Sequence, residues 1–227
     1  MSEFHDGAIL NGSSMSLSNK VSDAFKLFHT VFEKYKSKEV FVAFNGGKDC
    51  TVLLDLIHTF YKKSSIEGRA RVIYIQPKDP FQEIEEFVVN CEHTYRIKIE
   101  KLQGDLKTVL EKICKENPDL KAVIMGSRRT DPYCENLNEL QPTDPGWPPL
   151  MRISPVLDWT CKDIWDYIRS HKIAYCKLYD EGYTSIGDRT NTVRNPHLKE
   201  VDPVTCEATY RPAYELLDDN LERAGRL

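Results

Sequence analysis

Glu39 to Tyr61 reads EVFVAFNGGKDCTVLLDLIHTFY, and its three parts decide the fold class. Val40, Phe41, Val42, Ala43 and Phe44 form an unbroken β-branched and aromatic run, the pattern of a strand covered on both faces. Gly46 and Gly47 permit positive φ and close approach of a ligand to the backbone. Val52, Leu53, Leu56, Ile57 and Phe60 then recur on one helical face. A helix that begins straight after a glycine turn points free N–H groups and the positive end of its dipole outward, which suits a phosphate.

A plain β-α turn would also account for Asn45 as a helix cap and Asp49 as a dipole partner. Lys48 beside Asp49 tips the reading, because it sets a cation for phosphate next to a carboxylate able to hold a metal. No G-x-x-x-x-G-K-[ST] stretch is present, so the turn is not a Walker A loop.

Outward from this unit, Gly68 precedes a second strand, Ala70–Ile75, and strand-helix-strand order implies a parallel sheet. Gln76–Phe81 is a loop at that strand's carboxyl end, where ligands lie in open α/β sheets. The helix after it turns Ile84, Phe87 and Val88 inward. Glu83 and Glu85 in its first turn read as dipole partners, with ribose contact as the other use. Tyr95–Lys101 alternates like a half-exposed edge strand. Asp105 opens a helix through Leu106, Val109, Leu110 and Ile113 that stops near Asn117-Pro118.

Ala122–Met125 is a further strand, ending at Gly126-Ser127-Arg128-Arg129-Thr130-Asp131-Pro132. Two adjacent arginines at a strand end suit an oxyanion. Trp147, in a proline-rich stretch from Gln141 to Pro149, is either a packing plug or a wall for a flat ring. Asp158 or Thr160 caps a helix whose apolar face is Ile164, Trp165, Tyr167 and Ile168. Upstream, Ser18 or Ser22 caps a helix bearing Val21, Phe25, Phe28, Val31 and Phe32. Tyr179–Asn191 is a glycine-broken loop. Tyr214–Leu227 is expected to be a final helix with Arg223 and Arg226 on one face.

The expected fold is therefore α/β, a Rossmann-like open, mostly parallel sheet with helices on both faces and a C-terminal loop-and-helix appendage. Residues 1–18 are expected to be flexible, 19–175 to form the nucleotide-binding domain, and 176–227 to pack on it. Hydrophobic content of 41%, charged content of 29% and net charge −4 describe a soluble protein without a nucleic-acid footprint. No apolar run reaches membrane-spanning length, and no secretory signal is expected. Seven cysteines, an odd number without a C-x-x-C, read as reduced thiols of a cytoplasmic protein rather than a zinc or iron–sulfur site.

Several stretches in order carry a family resemblance: FNGGKDCTVLL, DPFQEIEEF, MGSRRTDPYCENL, WPPLMRISPVLDW, DIWDYI, GYTSIGD, NPHL and LLDDNLERAGRL. The glycine turn resembles the S-G-G-x-D-S PP-loop of the PAPS reductase superfamily, with Asn45 for the first Ser and Cys50 for the second. Together the stretches resemble the eukaryotic-type FAD synthetases (FMN adenylyltransferases) of that superfamily. The resemblance implies ATP plus FMN giving FAD plus pyrophosphate with Mg2+, in a monomer with small-molecule substrates and no nucleic-acid or membrane partner. The FMN phosphate is already an anion at neutral pH, so no general base is needed.

By resemblance, Phe44, Asn45, Gly46, Gly47, Lys48, Asp49 and Arg128 meet ATP, with Asp49 nearest the metal. Asp131 orients the flavin or the magnesium. Arg223 and Arg226 hold the FMN phosphate or the developing charge. Trp147, Asp188 and Arg189 complete the flavin side, and Asn45, Asp49, Asp131, Arg223 and Arg226 form the catalytic set. The alternatives are a PAPS reductase-like enzyme, which would use a cysteine in an E-C-G-x-H context, and a non-catalytic nucleotide- or flavin-binding protein. No E-C-G-x-H stretch occurs in the sequence.

Overall fold

The computed structural model describes residues 15–216 and 218–227, and most of the expected flexible segment 1–18 lies outside them. Helix α1 (Leu17–Lys34) begins inside that segment. Its cap is Ser16, whose hydroxyl accepts from Asn19 N at 3.3 Å, not Ser18 or Ser22. Strand β1 (Val40–Phe44) and helix α2 (Lys48–Lys63) follow as the sequence indicates. Then come β2 (Arg71–Gln76), α3 (Gln82–Tyr95), β3 (Ile99–Gln103), α4 (Leu106–Glu116) and β4 (Ala122–Ile124). A short β5 (Leu140–Pro142), β6 (Met151–Ile153), α5 (Cys161–Ser170) and a hairpin of β7 (Lys199–Val201) and β8 (Ala208–Tyr210) complete the set.

The main sheet runs β3-β2-β1-β4-β6-β5, parallel throughout except for antiparallel β5 at one edge. Burial explains the composition of β1. Val40, Val42 and Phe44 face the larger core with α1, α2, α3 and α5, while Phe41 and Ala43 face α4 through Val109, Leu110 and Ile113. Both faces of β1 are therefore dry, as a central parallel strand requires. Because the chain builds β1, β2 and β3 to one side and then returns to β4 on the other, a crevice opens at the carboxyl ends of β1 and β4.

Two local expectations are corrected, and the two candidates for the α5 cap are narrowed to one. Tyr95–Lys101 is not one strand: α3 runs to Tyr95, Arg96 takes a left-handed cap at φ 51°, and β3 starts at Ile99, at the sheet edge. Thr160, not Asp158, caps α5, with Asp163 returning a bond to the cap as a capping box. Tyr214–Leu227 is not an α-helix among its described residues. It forms two 3₁₀ turns, Ala213–Glu215 and Asp219–Leu221, followed by bonds such as Ala224 N to Leu221 O at 3.0 Å and Arg226 N to Arg223 O at 2.9 Å. Asp218 accepts from Asn220 N at 2.9 Å, the local side-chain competition that favours turns over helix. Among the described residues no helix is long and apolar enough to cross a membrane.

Candidate active site

β1 delivers Asn45, Gly46 and Gly47 to the crevice. Gly46 sits at φ +73°, and a Cβ there would stand 2.9 Å from Ile84 Cγ2, so both backbone and space require glycine. Gly47 is the cap residue of α2, and Asn45 Oδ1 accepts from its N–H at 2.8 Å. Lys48 N donates to the buried Tyr179 hydroxyl at 2.8 Å. The next two amides, Asp49 and Cys50, have no acceptor on another described residue. They are the free donors of the helix N-terminus, fitted to an anion.

Behind this turn lies a buried ion cluster. Lys48 and Arg128 are each 1% exposed and Glu222 is 4% exposed. Lys48 Nζ donates to Asp49 Oδ2 at 2.9 Å and to Glu222 Oε1. Arg128 Nη2 donates to Glu222 Oε2, and its Nε stands 2.7 Å from Asp49 Oδ1. Two cations and two anions alternate in a closed ring. Burial works against the Lys48 ammonium, but Asp49 and Glu222 overcome it and hold its pKa well above the ordinary lysine value. Arg128 is raised by the same balance, burial opposed by Asp49 and Glu222. For Asp49, burial is likewise outweighed, and Lys48 and Arg128 keep its carboxyl below the usual range. Lys48, Arg128 and Asp49 stay charged because each has opposite charges within contact.

Two cavities meet in front of the cluster. The larger, about 840 Å³, lies across the strand ends: Phe44 and Asn45 after β1, Pro77 and Lys78 after β2, Gln103 and Gly104 at β3, Gly126 and Ser127 after β4. The tail adds Ile186, Gly187, Asp188, Asn191 and Arg226 to its wall. The smaller, about 220 Å³, adds Gly47, Lys48, Asp49, Tyr179, Glu222 and Arg223. Asn45, Cys50, Gly126, Asp131, Ile186 and Arg226 line both.

Arg226 forms no ion pair among the described residues. Burial and then the neighbouring Arg223 charge lower its pKa, so an anion beside it would be favoured. Its guanidinium lies over Gly187, where a Cβ would collide with it. Asp131 Oδ2 accepts from Arg128 N at 2.9 Å, and Oδ1 stands 3.7 Å from Arg223 Nη1. Burial, reinforced by the charges of Asp49 and Glu222, raises its pKa.

The structure thus brings Phe44, Asn45, Asp131, Asp188, Arg223 and Arg226 to the cavities together with Gly47, Lys48 and Asp49. Four expected residues line neither cavity: Gly46, Arg128, Trp147 and Arg189. Arg128 is enclosed by carboxylates. Arg129 turns the opposite way, its Nε 2.6 Å from Asp158 Oδ1 and its Nη1 bonded to the carbonyls of Glu135 and Leu137. Trp147, 37% exposed in the β5–β6 connection, lines neither cavity. Arg189 also lines neither: its N–H donates to Asp79 O at 2.9 Å and its Nε lies 3.2 Å from Asp79 Oδ2. Asp188 accepts from Asp79 N at 2.9 Å, so the pair clamps the tail onto the loop after β2. Hydrogen bonds from Thr190 and Asp79 pull its carboxyl down to about 2.

Sequence reasoning missed Glu222, Tyr179, Thr184 and Asn195. Thr184 Oγ1 donates to Glu222 O at 2.6 Å, and Asn195 Nδ2 donates to Leu221 O at 2.8 Å. Thr184 and Asn195 belong to the GYTSIGD and NPHL stretches, which therefore hold the arginine-bearing turn.

Residues 39–194 match the phosphoadenosine phosphosulfate reductase domain family. A probable FAD synthase of Schizosaccharomyces pombe is 38% identical over 219 residues, covering 93% of this chain and 80% of that protein. The chain belongs to this domain family, in its FAD synthase branch. A second FAD synthase relative, the probable FAD synthase of Caenorhabditis briggsae, is 36% identical over 227 residues, and there the chain spans 43% of the longer protein. Among solved structures, FMN adenylyltransferase of Candida glabrata in complex with FMN and the ATP analogue AMPCPP superposes with a TM-score of 0.83. It is 25% identical, with 96% of this chain and 94% of that chain covered. The fold is thus shared with that structure over nearly the whole of this chain.

Magnesium is the metal implied by the family resemblance. Asp49, Asp131 and Glu222 give the smaller cavity hard oxygen donors. No group of three or more His, Cys, Asp or Glu among the described residues is arranged to hold a metal alone. Magnesium takes one or two carboxylates and completes its shell with water and substrate phosphates. Asp49 and Asp131 would hold it here.

Proposed function

We propose that this chain makes FAD by transferring the adenylyl group of ATP to the 5′-phosphate of FMN, releasing pyrophosphate. The observation that carries the reading is the Arg226 guanidinium, without an ion pair among the described residues, at the junction of two connected cavities beside the N-terminal amides of α2. An FAD synthase-type structure from Candida glabrata in complex with FMN and an ATP analogue supports it. The larger cavity is of the size that encloses small-molecule substrates.

On this reading the Asp49 and Cys50 amides and the α2 dipole receive phosphates of ATP, and the carboxyl ends of β1, β2 and β4 flank the nucleoside. Arg226 and Arg223 draw in the phosphate of FMN. An FMN phosphate oxygen attacks the α-phosphorus, the bond to the β-phosphate oxygen breaks, and pyrophosphate leaves. The nucleophile is already ionised, so the residues align two repelling anions rather than move a proton. Magnesium, when bound at Asp49 and Asp131, supplies neutralisation of phosphate charge.

The chain would act as a cytoplasmic monomer on small molecules, without a nucleic-acid or membrane partner. All seven cysteines are free, as suits a reducing compartment. Incubation with ATP, FMN and magnesium, followed by chromatography of the flavins, tests the reading. FAD and pyrophosphate should appear in equal amounts; flavin binding without turnover would leave only a binding protein.

A further inference from the structure

Glu222 takes no part in the transfer just described, yet it is buried, 4% exposed, and its carboxylate meets two cations. Its carboxylate accepts from Lys48 on α2 and from Arg128 after β4. Its carbonyl oxygen accepts from Thr184 Oγ1 at 2.6 Å, and the carbonyl before it, Leu221, accepts from Asn195 Nδ2 at 2.8 Å. Thr184 is 2% exposed and Asn195 0%. A carboxylate buried at this depth persists only when paired in this way.

We propose that Glu222 is a positioning residue that locks the arginine-bearing tail to the phosphate loop, so that Arg223 and Arg226 meet the cavities in one register. The proposal rests on the adenylyltransferase reading for its kinetic consequence, not for the lock itself. Arg223 is the next residue, and Arg226 N bonds back to Arg223 O. Beyond that, the tail pairs with residues 191–193: Val193 N donates to Gly225 O at 2.8 Å, Leu227 N donates to Asn191 O at 3.0 Å, and Thr192 bridges Arg226.

Those outer bonds join one part of the tail to another. Their own link to the sheet is the Asp79 clamp, in which Asp79 and Arg189 are 42% and 60% exposed. Asp219 Oδ2 also accepts from Cys161 N at 2.8 Å, and Arg223 Nη1 stands 3.7 Å from the half-exposed Asp131; Glu222 is the buried contact that ties the arginine segment to both α2 and the loop after β4. Its charge also closes the ring: without it Lys48 and Arg128 would face Asp49 alone, with one positive charge in excess. An incoming phosphate would then be drawn toward Lys48 and out of line with the FMN phosphate.

The test uses E222Q, which keeps the size and removes the charge. Hydrogen exchange of the whole chain should show amides in 184–193 and 221–227 exchanging about tenfold faster or more, with β1, β2 and β4 unchanged. For FAD formation, kcat should fall about 100-fold, the scale of a 1 Å misplacement, while the KM for ATP stays within about threefold. The double variant E222Q/R226A should be no slower than R226A, because Glu222 acts through the arginine. E222D keeps the charge and should recover part of kcat. It replaces E222Q in every arm if E222Q does not fold.

Unchanged exchange in the tail would overturn the lock. A double variant slower by the product of the two single losses would overturn its action through Arg226. If the wild-type chain forms no FAD, the functional reading falls, and the exchange pattern alone decides the lock.

Discussion

Glu222 and Lys48 lie 174 positions apart in sequence and form a buried ion pair. Lys48 is the first residue of α2, one position after the glycine turn, and Glu222 sits beside Arg223 in the tail. Through this pair the two halves of the site, one built by β1 and α2 and the other by the tail, share a charge. Arg128 and Asp49 complete the arrangement, and Arg226, with no ion pair among the described residues, stands in front of it.

Lys48→Met should destabilise the fold. It leaves Asp49 and Glu222 buried with only Arg128 between them, and stripping one partner from a buried ionic group costs about 3–5 kcal/mol. Urea denaturation checks this. A loss below 1 kcal/mol, on that same scale, would mean that the ring relaxes or admits water.

Arg226→Ala should separate activity from stability. The guanidinium has no ion pair among the described residues to lose, so denaturation should shift by less than about 1 kcal/mol. FAD formation should fall by about 100-fold or more, as for removal of a preorganised group at developing charge. Steady-state kinetics beside a melting curve gives both readings, and a variant with native kcat/KM would return Arg226 to a packing role.

Gly187→Ala should behave like a milder Arg226→Ala. The added Cβ occupies the place of the Arg226 guanidinium, so the arginine must move while its charge remains. The expected result is a folded protein with a reduced kcat that Arg226→Ala does not reduce much further. Additive losses would show that the two residues act independently.

Cys50, inside both cavities, should be inert near neutral pH. Burial, then the Asp49 charge, pushes its thiol up to about 12, and the nucleophilic thiolate is scarcely populated. Iodoacetamide at neutral pH should modify exposed Cys206 first, without loss of FAD formation. Peptide mass spectrometry alongside the assay distinguishes this from activity lost in step with Cys206 alkylation, which would point to thiol chemistry.

The strand-turn-helix at Glu39–Tyr61 was legible because its signals are local: a strand buried on both faces, a glycine forced to positive φ, and a helix with one apolar face. Edge placement of the alternating segment was legible too, though its start was not. Arg96 bears an alternating pattern but takes the left-handed cap of α3. The arginine pair shows where locality ends. Arg128 and Arg129 are indistinguishable by composition, yet one is enclosed by Asp49 and Glu222 and the other faces Asp158. Which one turns inward depends on carboxylates supplied from distant segments.

Glu222 was hidden for the same reason, since its partners lie far away in sequence. A usable signal was present: a lone acidic residue between an apolar one and two arginines, in a chain with a lysine at a helix start to neutralise. The misread final helix has a different cause. Asp218, Asp219 and Asn220 favour turns, and the backbone beyond them is claimed by residues 191–193.

Adenylyl transfer itself is tested most directly by the fate of labelled phosphate. With FMN, magnesium and ATP labelled at the α-phosphate, the label should move into FAD in a one-to-one ratio with flavin consumed. With ATP labelled at the γ-phosphate, all of it should leave in pyrophosphate. Label from the γ-position in the flavin product, or α-label retained in free AMP with FMN unchanged, would contradict attack of the FMN phosphate on the α-phosphorus at this site.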